Sequence, residues 1–442
     1  MRVNVWGINY APEQIGIAPY NALLCEYLLE RGHEVRMATS FAYYPLWKKA
    51  AADCGRLYRT HFVRGVPVYR CWHYVPQRPS AIKRVLHEAT FVLTSLLRLL
   101  TLPKPDVYVV VSPPLLLGAA AWLLTRFRRA PVVFHVQDLQ PDGALALGMI
   151  RQGLLARLLY GLESFAYRKA ARVSGITPGM LSVYRSKGVP EAKLVYFPNG
   201  TTVPGAADIP TPGSFRSRHG IVENAFLAVY SGNVGMKQGL DVLLDAAKQW
   251  HNGEVTLVIC GEGAGRERLE RRIRVERIPN VTLLPLQPEQ EYLEMLRDAD
   301  VALVTQQQGA GRFCFPSKLL KCLALAKPVV TVADEASELA QALNGAGFGV
   351  NVLPGDAQGL ASTLKELSRT RDKLKAYGVN GRGYAAQFEL SRVLGEFERG
   401  LLALVGDGVG TGAARSASSR FSEGRSRSSG TNSHVGSDAH ND

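Results

Sequence analysis

The sequence lacks paired cysteines. Its six, Cys25, Cys54, Cys71, Cys260, Cys314 and Cys322, are scattered and form no CxxC pair. This excludes a zinc ribbon and argues against a disulfide framework. Most sit in apolar runs, so they are expected to be reduced core thiols of a cytoplasmic protein. An uninterrupted apolar span is also missing. The most membrane-like stretch, residues 85–103, is broken by His87, Glu88 and Arg98, which argues against a spanning helix. No charged region followed by a cleavable apolar segment is visible, because MRVNVWGINY reads directly as a buried strand. No GxxxxGK(S/T) string occurs, which excludes a Walker phosphate loop. No module of interleaved aromatic and basic residues stands out, so nucleic acid is not an expected partner.

What is present is a large apolar fraction and an excess of positive charge. The 442 residues are 46% hydrophobic, enough for two or three cored domains, and carry a formal charge of +14. Such a balance favours an anionic partner: phosphorylated substrates or an anionic membrane surface. Some of that charge lies in a Ser-, Gly- and Arg-rich tail, residues 406–442, expected to be disordered. Lys83, Arg84, Arg98 and Lys104 flank the leucine-rich stretch at 85–103. That stretch is expected to be a core-facing helix of the first domain, with one face free to touch the inner membrane surface.

The chain reads twice through one pattern. A buried strand, a glycine-bearing loop with Gly16, an amphipathic helix ended by Gly32 and a second strand open it. This is a βαβ unit, which predicts a parallel sheet with a right-handed crossover. Buried strands recur at residues 106–112 and 131–138, and a proline- and glycine-rich linker follows at 202–215. Strand, glycine loop and helix then begin again at residue 226. Two α/β halves facing a cleft are expected, with ligands outside the carboxyl ends of the strands.

Chemistry concentrates in the second half. In residues 312–330, RFCFPSKLLKCLALAKPVV, Pro316 and Ser317 sit at a predicted helix start and Lys318 puts a cation where the helix dipole is already positive. That placement is unfavourable unless an anion is present, which points to phosphate; the alternative is a solvated lysine. Leu319 begins the apolar stripe of that helix. The loop SGNVGMKQGL, residues 231–240, offers Gly232 and Gly235 for close backbone approach and Lys237 for a phosphate. CGEGAG, residues 260–265, supplies Gly261 and Gly263 on a neighbouring loop. Three such loops at one sheet edge can hold a diphosphate. Glu338 opens the next helix, where it either meets ribose or sugar hydroxyls or serves the helix alone. In the first half, Gly16 amides can face the cleft, and Asp138 ends a buried strand where an unpaired carboxylate is costly. His135 reads as a satisfied core histidine. The string DAD at 298–300 looks like a metal motif, but Asp298 ends a helix and Asp300 starts a strand, so both are expected to be structural and no metal is expected.

The segments YAPEQIGIAPYNALLCEYLLERGHEV, HVQDLQPD, PNG, YSGNVGMKQGLDVLLDAA, CGEG, FPSKLLKCLALAKPVV and SEL stand in the order seen in family 4 glycosyltransferases. The chain resembles the colanic-acid and capsular-polysaccharide branch of that family over residues 1–405. The resemblance implies the GT-B fold. Residues 1–201 would form a Rossmann-like acceptor domain and 202–385 a nucleotide-sugar domain. A helix at 386–405 would cross back to the first. It further implies retaining, metal-independent transfer without a cofactor, from a UDP- or GDP-sugar to a lipid-linked or oligosaccharide acceptor. Expected donor contacts are Asn233, Gly235, Lys237, Gly261, Gly263, Ser317, Lys318, Leu319 and Glu338; Asp138, Gly16 and Lys318 are expected at the reacting centre. The family's E-x7-E glutamates fall at Phe313 and Lys321 here, its donor-loop arginine at Asn233 and its strand-end histidine at Gln137. A nucleotide-sugar 2-epimerase and a non-catalytic subunit of a polysaccharide assembly complex are the alternatives.

Overall fold

The computed structural model describes residues 1–78, 80–146, 148, 150–205, 211–250, 254–309, 316 and 318–422, without the side chains of Ala81, Met236 and residues 407–422. The first lobe runs β1 (Arg2–Trp6), α1 (Ala18–Glu30), β2 (Glu34–Ser40), β3 (Tyr58–Val63), β4 (Val66–Cys71), α2 (Ala81–Thr101), β5 (Val107–Ser112), α3 (Leu116–Arg128), β6 (Val132–Val136), α4 (Gln140–Ala146), α5 (Leu154–Lys169), β7 (Arg172–Gly175), α6 (Pro178–Ser186) and β8 (Leu194–Tyr196). The second runs α7 (Ser214–Arg218), β9 (Leu227–Ser231), α8 (Asp241–Ala247), β10 (Thr256–Cys260), α9 (Arg266–Val275), β11 (Val281–Leu284), α10 (Glu289–Asp298), β12 (Val301–Thr305), α11 (Lys318–Ala324), β13 (Val329–Val332), α12 (Glu338–Ala346), β14 (Gly349–Val352), α13 (Ala357–Ser368) and α14 (Arg371–Ala386). The last helix, α15, spans Leu390–Ser422 and so reaches beyond residue 405; residues 423–442 of the expected tail lie outside the described residues.

Strand order is β3-β4-β2-β1-β5-β6-β7-β8 in the first sheet and β11-β10-β9-β12-β13-β14 in the second. Central strands such as VYVVVS in β5 are buried along their whole length. That is the pattern of a parallel sheet covered by helices on both faces. One departure from an all-parallel sheet is β3, which pairs antiparallel with β4 from Tyr58↔Cys71 to Val63↔Val66. Arg64 and Gly65, both at positive φ (48° and 81°), close that hairpin in two residues. The first core gathers Trp6, Phe91, Tyr108, Phe134 and Tyr184. The second lobe has its own apolar clusters around Tyr230, Leu257 and Leu303, and around Leu319, Leu323 and Phe348.

The chain passes between the lobes twice, side by side. Thr201 donates its N–H to Phe388 O at 2.8 Å, and Leu390 N–H donates to Thr201 O at 3.0 Å. At the start of α15, Phe397 stacks on Phe197 of the first lobe at 3.8 Å, and Glu398 bonds His33 at 2.8 Å and Tyr27 at 3.1 Å.

Asp298 and Asp300 serve the backbone, as their positions suggested. Asp298 accepts from the N–H groups of Gly213 at 2.6 Å, Phe215 at 2.9 Å and Arg216 at 3.0 Å, and so caps α7. Asp300 bonds Leu227 N–H and the Arg216 guanidinium, each at 2.8 Å. Asp298→Ala is expected to destabilise the chain by about 2 kcal/mol, because two buried donors and one half-buried donor lose their acceptor. An unchanged denaturant midpoint would remove this capping role.

Candidate functional site

Strand order fixes where ligands can enter. In the first sheet the order reverses between β1 and β5, and in the second between β9 and β12. Loops leaving adjacent strands at such a reversal part to opposite faces and leave a crevice at the carboxyl edge. The first crevice lies between the loop carrying Gly16 and the Pro113–Pro114 turn. The second lies between the β9 loop, residues 232–240, and the loop after β12.

Lys318, the first residue of α11, reaches into the second crevice. Its ammonium lies 3.3 Å from the centre of the Tyr230 ring. A Cβ on Gly232 would stand 3.7 Å from its Nζ, so the amine sits at the root of the β9 loop. The Nζ is buried and has no hydrogen-bond partner among the described residues. Burial pushes its pKa down to about 7. A ring face compensates a desolvated cation only in part. The arrangement is therefore short of an anion.

The glycine loops explain how that anion would be framed. Gly232 N–H donates to Cys260 O at 2.9 Å, Val234 N–H to Glu262 O at 2.8 Å and Gly265 N–H to Val234 O at 2.9 Å. The β10 loop thus lies directly on the β9 loop. A Cβ on Gly261 would fall 1.8 Å from Gly232 O, and one on Gly263 2.4 Å from Val234 O. Gln307 N–H donates to Lys237 O at 2.7 Å, tying the β12 loop to the same stack. The Tyr230 hydroxyl donates to Asn233 O at 2.7 Å.

Facing this edge, the first lobe has a cavity of about 320 Å³. Tyr43, Tyr44 and Trp47 give it flat apolar walls, and Arg84, Glu88, Asp138 and Gln140 give it polar groups. Lys237 reaches in from the second lobe, with Nζ 3.9 Å from Asp138 Oδ2. Aromatic faces beside hydrogen-bonding side chains suit a polyhydroxylated ligand. Glu13 holds one wall in place: its carboxylate accepts from Tyr43 N–H at 2.8 Å, Tyr44 N–H at 2.9 Å and Asn9 Nδ2 at 2.8 Å. It thereby pins the Gly16 loop to the aromatic loop, and burial raises its pKa. Among the described residues Glu88 keeps one weak bond, from Gln140 Nε2 at 3.3 Å, and burial lifts its pKa to about 7. His87 donates from Nδ1 to Tyr74 O at 2.6 Å, and burial holds its pKa near 4, so the ring is neutral.

Lys318, Gly235, Lys237, Asn233, Gly261 and Gly263 are brought together on one loop stack, with Asp138 across the crevice. Gly16, at φ +71°, stands 3.7 Å from Tyr44, measured from an added Cβ. Ser317 lies outside the described residues. One expectation needs correction. The Leu319 side chain is fully buried in the second lobe's core, and its N–H is taken by Pro316 O at 3.1 Å, so it offers the cleft nothing. Glu338 does not serve its helix alone: it is half-buried and lines a separate interlobe cavity of about 710 Å³. Its Oε1 accepts from Gly179 N–H of the first lobe at 2.5 Å. Helix α12 is capped instead by Ser337, which accepts from Ala340 N–H at 3.1 Å. Gln137 is tied to Asn199 at 3.0 Å and to His135 Nε2 at 2.8 Å. His135 also bonds Ser174 at 2.8 Å and is the satisfied core residue expected. Of the cysteines, Cys25, Cys71, Cys260 and Cys322 are buried, whereas Cys54 is exposed; Cys314 lies outside the described residues.

Comparison with known proteins then decides the family. Residues 16–200 match the family described as "Glycosyl transferase 4-like domain", and residues 213–384 the one described as "Glycosyl transferases group 1". The putative colanic acid biosynthesis glycosyl transferase WcaI of Escherichia coli (strain K12) is 32% identical over 377 residues, covering 83% of this chain and 92% of that protein. The chain belongs to the group 1 glycosyltransferases. Its fold is GT-B, as in sucrose-phosphate synthase from Thermosynechococcus elongatus, with a TM-score of 0.71 at 18% identity over 91% of this chain and 99% of that one. Anabaena HepE in complex with UDP-glucose superposes with a TM-score of 0.67 at 15% identity, over 91% of this chain and 100% of that one. The loop stack and the aromatic cavity stand on facing edges of the two lobes of this glycosyltransferase.

Proposed function

We propose that this glycosyltransferase moves a sugar from a UDP- or GDP-linked donor to a lipid-linked or oligosaccharide acceptor, in the synthesis of a cell-surface polysaccharide. Residues 202–385 hold the donor and residues 1–201 the acceptor. The buried Lys318 ammonium, without a hydrogen-bond partner among the described residues, carries this reading, because the donor's diphosphate is the anion it is short of. Lys237, 3.9 Å from Asp138, is placed to follow the leaving phosphate while Asp138 orients the acceptor hydroxyl or the sugar. Gly16 amides approach the diphosphate as the lobes close. Two lysines supply the positive charge the leaving group needs, so transfer proceeds without a metal. Retention of anomeric configuration follows the family resemblance, and the name of the Escherichia coli relative supports the polysaccharide pathway. The acceptor is met at the inner face of the plasma membrane.

The test is binding of UDP- and GDP-sugars across a pH series. Lys318 titrates near pH 7 without ligand. A diphosphate favours its charged form, so binding takes up a proton above that pH. Affinity should fall by up to about tenfold per unit between pH 7 and 9. The sugar diphosphate diester itself does not titrate in that window. Calorimetry in buffers of different ionisation enthalpy reads the proton directly. UDP or GDP should also bind at least about tenfold tighter than the matching monophosphate. Equal affinity for mono- and diphosphate, with a flat pH profile, would sink the reading. Consumption of a UDP-sugar without acceptor would favour the epimerase, and binding without turnover the non-catalytic subunit.

A further inference from the structure

Among the described residues, ten of the nineteen exposed large apolar side chains lie on just three helices, α2, α3 and α5. These helices are neighbours, with α2 packed on α3 and α3 on α5. Their inner faces fill the first lobe's core through Phe91, Leu99, Leu117, Leu124 and Ala166. Their outer faces should then be polar, and they are not. On α2, Ile82, Leu86, Leu93 and Leu97 recur at helical spacing and are 83%, 50%, 59% and 51% exposed. Phe127 on α3 and Leu158 on α5 continue the patch.

Charge says what covers it. The three helices carry eight lysines and arginines and two acids. Neither acid faces outward. Glu88 lines the acceptor cavity, and Glu163 is buried with Lys187 at 2.6 Å. Arg84 turns into the cavity and Arg98 packs on Tyr58 and Tyr69, but Lys83, Arg126, Arg157, Arg168 and Lys169 are exposed. An apolar face beside these cations, with no exposed acid on the three helices, complements an anionic lipid surface. A protein partner of ordinary composition would be met with charges of both signs.

We infer that the outer face of α2, α3 and α5 docks on an anionic phospholipid bilayer. The inference rests on the reading above for one point only, the acceptor. Helix α2 turns Arg84, His87 and Glu88 into the acceptor cavity on one side and its leucine stripe outward on the other. A saccharide anchored in the same bilayer therefore reaches the cavity along α2 without leaving the membrane. With a single helix in contact, the lobe could roll about that helix axis. Three side by side fix the cavity mouth relative to the bilayer plane.

The experiment is co-sedimentation of the full chain with vesicles of phosphatidylcholine alone or with about 30 mol % phosphatidylglycerol, a typical anionic surface. Anionic vesicles should bind at least about tenfold better than neutral ones, and raised salt should weaken that binding. The double variant Phe127→Glu, Leu158→Glu should lose at least about tenfold in partitioning. Val379→Glu, equally exposed on α14 of the second lobe, should lose nothing. Nucleotide-sugar affinity, read by calorimetry without vesicles, should be the same in all three proteins. Loss of that affinity in the wild type would strike the proposed function and leave the docking surface standing. Failure to bind anionic vesicles, or equal binding by the double variant, overturns the inference. So would self-association in sedimentation velocity, abolished by the double variant, in a chain that ignores vesicles; the face would then join two copies.

Discussion

Lys318→Met is expected to lower turnover by about two to three orders of magnitude and to weaken nucleotide-sugar binding tenfold to a hundredfold. Methionine keeps the length and apolar stem that lie on Tyr230, so packing is preserved and only the charge is lost. The same substitution should leave the unliganded chain as stable as the wild type, or more so. A buried ammonium without a partner is a cost in the free state, recovered only when the diphosphate arrives. The sign with pH follows from the pKa. Lys318 is near 7 when folded, far below its ordinary value, so the unfolded chain binds the extra proton between the two. The wild type is penalised most below pH 7 and progressively less as pH rises. The thermal midpoint of the methionine variant should therefore exceed that of the wild type most clearly near pH 6, and the gap should close toward pH 9. A variant with normal turnover would remove Lys318 from the reaction. One that loses activity only because it unfolds would show a lower midpoint at every pH.

Much of the architecture was legible because it is periodic. Uniformly apolar runs such as VYVVVS, each followed by a glycine or proline loop and an amphipathic helix, admit few arrangements other than a parallel sheet. The missed strand, β3, was hidden by chemistry: YRTHFV alternates weakly, and Arg64–Gly65 is not the Asn-Gly pair that announces a two-residue turn. The loops were legible as glycine-bearing, but their contact with each other was not. Gly261 and Gly263 read as donor contacts, and the structure adds that they let one loop rest on another.

Local patterns also cannot show which lobe a side chain will meet. Glu338 sits in the first turn of its helix, where an acid suits the dipole, yet its partner Gly179 is 159 residues away. Glu13 went unremarked within the Pro12–Gly16 loop. An acid in such a loop, straight after a buried strand, is a signal worth weighing, because its carboxylate can take several loop amides at once. Tyr230 looked like one more apolar strand residue until Lys318 was seen over its ring. Leu319 was drawn into the donor set by its neighbours, but consecutive helical residues point about 100° apart. With Lys318 facing the crevice, Leu319 turns into the core.

Gly261→Ala should cost about a hundredfold in turnover although the residue carries no functional group. The added methyl would lie 1.8 Å from Gly232 O, a backbone atom with no rotamer to escape into. The two loops must separate by about 1 Å to admit it, a displacement large enough to spoil catalytic positioning. The Gly232–Cys260 bond at 2.9 Å and the Val234–Glu262 bond at 2.8 Å would lengthen together. Gly232 would then move relative to the Lys318 amine, and Lys237 would follow at the loop's far end. Loss should appear in nucleotide-sugar affinity as well as turnover, since the damage lies on the donor side. First-lobe groups such as Asp138 and Glu88 would keep their geometry. A matched control is Gly345→Ala inside α12, where nothing stands within 4 Å of the new Cβ. There alanine should stabilise the helix by about 0.5–1 kcal/mol and leave turnover alone. Wild-type turnover in Gly261→Ala would mean that the loop stack tolerates separation. The close apposition of the β9 and β10 loops would then not be what frames the diphosphate.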